Sequence, residues 1–188
     1  VLVIRSLGAD PWLAIRLWRA LLLLVAGAGA ARLFQRVAAG RLEERGGSSP
    51  AATSLRAGRV VAAVLYVVNP YVVVAGATTP VLLPYALLPW LLLALGRSAH
   101  EPRSWRWPAA FALAFFASSG MNAGVVALFM LLAVPCWLAF EGRVNGLPWR
   151  QLAGSCGRCL ALSLLVSLYW LVPALLASAT AAGIAGAT

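Results

Sequence analysis

Long apolar runs separated by arginine-bearing segments set the rhythm of this chain. From Trp12 the residues are apolar to about Ala31, interrupted only by Arg16 and Arg19, and the run leaves through Arg32 and Arg36. Gly8-Ala9-Asp10-Pro11 ahead of it is a helix start, with Asp10 as N-cap and Pro11 at the first helical position. Two shorter apolar runs, Val60 to Val74 and Pro80 to Leu95, are joined by a small-residue turn, Ala75 to Thr79. Asn69 to Gly96 holds no charge, yet prolines interrupt it at 70, 80, 84 and 89. Each proline removes a helix hydrogen bond, which a membrane segment tolerates where neighbouring groups re-satisfy the freed carbonyls. From Trp107 to Phe140 there is again no charge. At about 1.5 Å per residue that stretch is too long for one span, so it predicts a helical hairpin turning at Ser118 to Asn122. Cys159 to Ala177 is the last run.

The pattern predicts an all-α fold, a polytopic transmembrane helical bundle of about six membrane segments in one domain over residues 1–188. The expected spans are 12–32, 60–74, 80–95, 107–118, 123–140 and 159–177. The second and third fall short of the roughly twenty residues that cross the hydrocarbon, and need help from their flanks. The polar connections are 33–59, a flexible loop by its Gly-Gly-Ser-Ser-Pro composition, then 97–106 and 141–158.

Composition and charge give these runs a solvent and an orientation. Of 188 residues 62% are hydrophobic and 11% charged, with a formal net charge of +10 from 15 basic residues; soluble domains carry roughly twice that charged fraction. All the basic residues are arginine, and twelve of the fifteen fall in Arg32–Arg59, Arg97–Arg106 and Arg143–Arg158. Arginine-rich short loops face the cytoplasm. That places both chain ends and the turns 75–79 and 118–122 on the outer face of a multi-pass plasma-membrane protein. The same bias accounts for the basic charge without nucleic acid. The chain opens on Val1 and closes on small uncharged residues, which reads as a piece of a longer polytopic protein.

Candidate chemistry is sparse. There is no phosphate-binding glycine loop, no Ser/His/Asp set and no metal constellation, and the expectation is no cofactor; a divalent cation would find only Asp10 outside. Asp10 is the one outward carboxylate and so the one outward candidate for acid–base work, against its plainer role as an N-cap. Arg16 and Arg19, charged inside an apolar run, call for a partner. A lipid phosphate fits, because the guanidinium fork matches phosphate oxygens, although snorkelling to ordinary lipid also serves. Asn69 and Asn122 are outer-cavity polar candidates that equally well close their own turns. Cys156-Gly-Arg-Cys159 has redox or zinc spacing, but it lies in an apolar helix without a second ligand pair. There the cysteines are small apolar fillers.

Four motifs in order carry a resemblance. Pro11-Trp12-Leu13-Ala14-Ile15-Arg16-Leu17-Trp18 is followed by Asn69-Pro70 with Leu83-Pro84-Tyr85-Ala86-Leu87-Leu88-Pro89-Trp90, then Gly120-Met121-Asn122-Ala123, then Trp170-Leu171-Val172-Pro173-Ala174-Leu175-Leu176. The chain resembles the membrane core of the actinobacterial α-(1→3)-arabinofuranosyltransferases, membrane enzymes of the GT-C glycosyltransferase type. The resemblance implies direct, inverting transfer of arabinofuranose from decaprenyl-phosphoryl arabinose to arabinogalactan or lipoarabinomannan on the outer face. It also implies that the general base sits in an outer loop preceding Val1, so that the segment alone lacks its catalytic loop. Arg16 is a donor-phosphate candidate by position. Two other readings compete: a lipid or small-solute transporter or flippase, because broken helices also surround transport sites, and a non-catalytic scaffold packed through Ala26, Gly27 and Gly29.

Overall fold

The computed structural model describes residues 10–43, 49–70, 72, 79–119 and 123–185. Among them stand six helices and no strand: α1 (Pro11–Glu43), α2 (Ser49–Val67), α3 (Thr79–His100), α4 (Arg106–Ser119), α5 (Ala123–Val144) and α6 (Trp149–Ala185). Among the described residues three stretches are long and apolar enough to cross a membrane by themselves: Pro11–Ala38 in α1, Val81–His100 in α3 and Trp149–Pro173 in α6.

Helices outrun the apolar segments that predicted them. α1 continues past Arg32 to Glu43 and α2 begins at Ser49, so the expected loop 33–59 is helical at both ends and only 44–48 lies outside the described residues. Likewise α5 reaches Val144 and α6 starts at Trp149, leaving 145–148 of the expected loop 141–158, where Gly146 takes φ 66°. The connection at 97–106 contracts to residues 101–105. The reason is propensity: Ala, Leu, Arg, Gln and Glu are good helix formers, so charge marks where a helix meets water and not where it stops. Residues 75–78 of one expected turn and 120–122 of the other lie outside the described residues.

α3 is the central helix, packed on α1, α4, α5 and α6, while α2 leans on α1. Pro84 and Pro89, beyond its first turn, are inside the helix and buried. One core, at the Arg97 end of α3, gathers Leu91, Ala94, Leu95, Phe111, Trp137 and Cys159; the other gathers Leu22, Ala26, Leu82, Tyr85 and Ala86. α1 comes close to α3 because residue 29 is glycine: a Cβ there would sit 2.7 Å from Trp90 Nε1. α2 seats Gly58 on the Phe34 ring in the same way, 2.6 Å from the nearest carbons. Close approach through small residues is how helices associate when water supplies no drive between them.

Outward faces are apolar in continuous stripes: Leu13, Leu17, Leu21 and Leu24 on α1; Val60, Val61, Val64, Leu65 and Val68 along and just past α2; Leu160, Leu164, Leu165, Leu168, Val172 and Leu176 on α6. Patches of this extent are not left in water. They are the lipid-facing surface of a membrane helical bundle.

Candidate functional site

Polar side chains collect at two levels of the bundle. At the start of α1 the Oδ1 of Asp10 accepts from the Trp12 amide at 3.0 Å, satisfying one of the orphan donors of the first turn. Arg16 lies one turn on, its guanidinium 3.6 Å from the Trp12 ring centroid, and is exposed; Arg19 is half-buried. Trp18 packs against the core that holds Tyr85, with Tyr66 and Val72 beside it. The first half of α1, the end of α2 and the start of α3 therefore share one end of the molecule, the end where the sequence places Asp10, Arg16, Arg19 and Asn69.

At that end two carbonyls without helical donors are met by two tyrosines. Pro89, inside α3, cannot donate to the carbonyl of Tyr85 four residues back, and the carbonyl of Tyr66 is among the last of α2, which ends at Val67. The phenol of Tyr66 donates to Tyr85 O at 2.9 Å, and the phenol of Tyr85 donates to Tyr66 O at 2.5 Å. Their rings stack with centroids 4.4 Å apart and 13° between planes. Asn69 Nδ2 donates to the Tyr85 hydroxyl at 2.7 Å while its Oδ1 accepts from the Val72 amide at 3.2 Å. Asn69 thus closes its own turn and orients Tyr85. Asn122 lies outside the described residues.

The opposite end carries the arginine-rich segments. Glu141, on the last turns of α5, is completely buried. Its Oε1 accepts from Arg36 Nη2 of α1 at 3.3 Å, and its Oε2 meets His100 Nε2 of α3 at 3.0 Å and Asn145 Nδ2 at 2.6 Å. Room for the carboxylate comes from Gly96, whose Cβ position lies 2.7 Å from Oε1. α3 ends against α6: Gln151 Nε2 donates to Ala99 O at 2.6 Å, and Arg158 donates to Pro102 O and Ser98 O. These donors satisfy carbonyls freed at a helix C-terminus, where a cation is also favoured. The arginine segments that are separate in sequence are therefore one surface in space.

Beside that network, α1, α3 and α4 enclose a groove of about 740 Å³ lined by Arg32, Gln35, Arg36, Trp90, Arg97 and Trp107, with alanines of α3 and α4 on its walls. A second, apolar cavity of about 370 Å³ between α3, α4, α5 and α6 is lined by Phe111, Phe115, Cys156, Cys159 and Ser163 among others. Cys156 and Cys159 line it as free thiols.

The Glu141 cluster and the tyrosine pair are not singled out by the sequence reading, which places Glu141 in a loop. Signals for both exist. Tyr66 precedes Pro70 and Tyr85 precedes Pro89 by one helical turn, and Glu141 is the lone acid closing a long apolar run.

A protein-family model described as alpha-(1->3)-arabinofuranosyltransferase, N-terminal GT-C domain, matches residues 1–183. No curated protein and no solved structure matches.

Proposed function

From the premise that the chain belongs to the alpha-(1->3)-arabinofuranosyltransferase family, as its N-terminal GT-C domain, we propose that it forms the membrane core on which arabinofuranose passes from a polyprenyl-phosphate donor, decaprenyl-phosphoryl arabinose, to cell-wall arabinan on the outer face of the plasma membrane. The observation that carries this reading is the family match across nearly the whole chain, joined to a pair of arginines in the first turns of α1. Arg16 and Arg19 sit three residues apart, so their side chains leave one face of the helix. In an apolar setting two guanidiniums are suited to a lipid-linked phosphate, each offering a planar fork of donors.

In this reading the protein contributes binding and orientation. The leaving group is a phosphate monoester, and arginines on its oxygens stabilise the charge that develops as the glycosidic bond breaks. The Tyr66–Tyr85–Asn69 cluster fixes the wall facing that end of α1 and touches no reacting atom. Asp10 is engaged as the N-cap of α1, and we assign it no role as base. The acceptor would be the arabinan of arabinogalactan or lipoarabinomannan, approaching from the aqueous side.

The test is donor-dependence kinetics on the full-length enzyme. Arg16→Gln with Arg19→Gln is expected to raise KM for the lipid donor roughly ten-fold or more, the scale of a lost charge-assisted contact, with KM for the acceptor unchanged. Unchanged donor KM removes both residues from the phosphate site.

A further inference from the structure

The groove between α1, α3 and α4 is built like a receptor for an amphipathic anion. Three helical stripes line it: Arg32, Gln35 and Arg36 on α1; Trp90, Leu93, Ala94 and Arg97 on α3; Trp107, Ala110 and Ala114 on α4. Each stripe repeats at three- and four-residue spacing, so the residues of one helix face the same way. Arg32 lies over Trp90, 5.0 Å from the ring centroid, and Arg97 over Trp107 at 4.5 Å. Trp90 is itself fixed by donating Nε1–H to Val25 O at 3.0 Å.

Charge in the groove is unbalanced. Among the described residues the carboxylate in contact with these guanidiniums is Glu141, which pairs with Arg36 and meets His100 Nε2 through its other oxygen. Among the described residues neither Arg32 nor Arg97 has an ion pair; each rests on an indole face. A guanidinium stacked on tryptophan keeps its edge donors available for an anion while its plane is held.

Arg36, Arg97 and Trp107 lie toward the arginine-rich end, where α3 finishes and α4 begins. Leu93, Ala94, Ala110 and Ala114 come next along the groove, and Arg32 borders the same stretch, resting on Trp90 a turn further back along α3. Both flanking helices pack on α3, which forms the floor of a trough between membrane helices. A volume of about 740 Å³ is within the range of pockets that take a small-molecule ligand.

We infer that this groove is a binding site for an anionic membrane lipid, with its phosphate between Arg32 and Arg97, Gln35 donating alongside, and the start of its apolar chains on Leu93, Ala94 and Ala110. It is separate from the donor-phosphate position proposed above, because Arg32 lies about 24 Å along α1 from Arg16 at the helical rise per residue. Neither proposal depends on the other.

The experiment uses the full-length protein, delipidated in detergent and titrated with phosphatidylglycerol or phosphatidylcholine, with bound lipid read by native mass spectrometry. Phosphatidylglycerol is expected to bind stoichiometrically and phosphatidylcholine much more weakly. Arg32→Gln with Arg97→Gln is expected to weaken phosphatidylglycerol about ten-fold or more. Arg32→Lys with Arg97→Lys, which keeps charge and folding but loses the fork, is expected to weaken it a few-fold. Arg103→Gln, exposed and outside the groove, is expected to change nothing. Inorganic phosphate at millimolar concentration should fail to displace the lipid; displacement at equal affinity would make the ligand a soluble phosphate and overturn the lipid assignment. Equal binding of both lipids, or equal loss in the Arg103 variant, would overturn the site itself.

Discussion

Tyr66 and Tyr85 each donate their hydroxyl to the other's backbone carbonyl. The two hydroxyls cross between α2 and α3 to carbonyls without a helical donor, Tyr85 O because Pro89 follows it inside α3 and Tyr66 O because α2 ends at Val67. The arrangement explains how a buried helix with internal prolines remains in place at the centre of a membrane bundle. It also locks the α2 terminus to α3 at the end where Arg16 and Arg19 lie.

Removing one hydroxyl should therefore cost more than an ordinary surface bond. Tyr66→Phe is expected to lower stability by about 1–2 kcal/mol, read as a fall in thermal unfolding temperature in detergent. In a Pro89→Ala background the restored amide can serve Tyr85 O, so the Tyr66→Phe cost should shrink to near zero. A double-mutant cycle that comes out additive would refute the repair.

The buried carboxylate makes an opposite pair of predictions. Glu141→Ala leaves Arg36 and His100 without their shared anion and is expected to cost about 3–5 kcal/mol. Replacing both Arg36 and Glu141 together by Met and Leu should recover much of that loss, because burying an ion pair is itself expensive. A double variant no more stable than Glu141→Ala would show that the remaining bonds, to His100 and Asn145, carry the cluster.

Glycines on these helices divide sharply by what faces them. At Gly96 a methyl group would meet Glu141 Oε1 at 2.7 Å and Trp137 Nε1 at 3.0 Å, so Gly96→Ala is expected to destabilise by roughly 1–3 kcal/mol. Gly154 and Gly157 on α6 have nothing within 4 Å of the same position. Gly154→Ala and Gly157→Ala should stabilise by up to about 1 kcal/mol through helix propensity alone. Circular dichroism melts of the three variants in one detergent decide the contrast.

The helical class and the gathering of arginines at one end are legible in the sequence, since each follows from local composition and periodicity. Helix ends were less so, because Arg36, Glu43, Glu141 and Arg150 extend helices that an apolar-run reading stops. Least visible were the partners. That Glu141 meets Arg36 across the bundle, or that Trp90 reaches Val25 O through the gap at Gly29, depends on which helices adjoin, and sequence spacing does not give that. The prolines of the Asn69–Trp90 stretch read as tolerated breaks from sequence alone; that the carbonyl freed by Pro89, Tyr85 O, is met by the Tyr66 hydroxyl depends on α2 lying beside α3.

Sugar transfer itself is the most direct measure of the proposed activity. The full-length protein would be reconstituted in liposomes with radiolabelled decaprenyl-phosphoryl arabinofuranose and a synthetic arabinan acceptor, and label in the acceptor counted over time. Protein-dependent incorporation is expected, falling steeply when Arg16 and Arg19 are both replaced by Gln. Incorporation no greater than in protein-free liposomes would contradict the proposed activity.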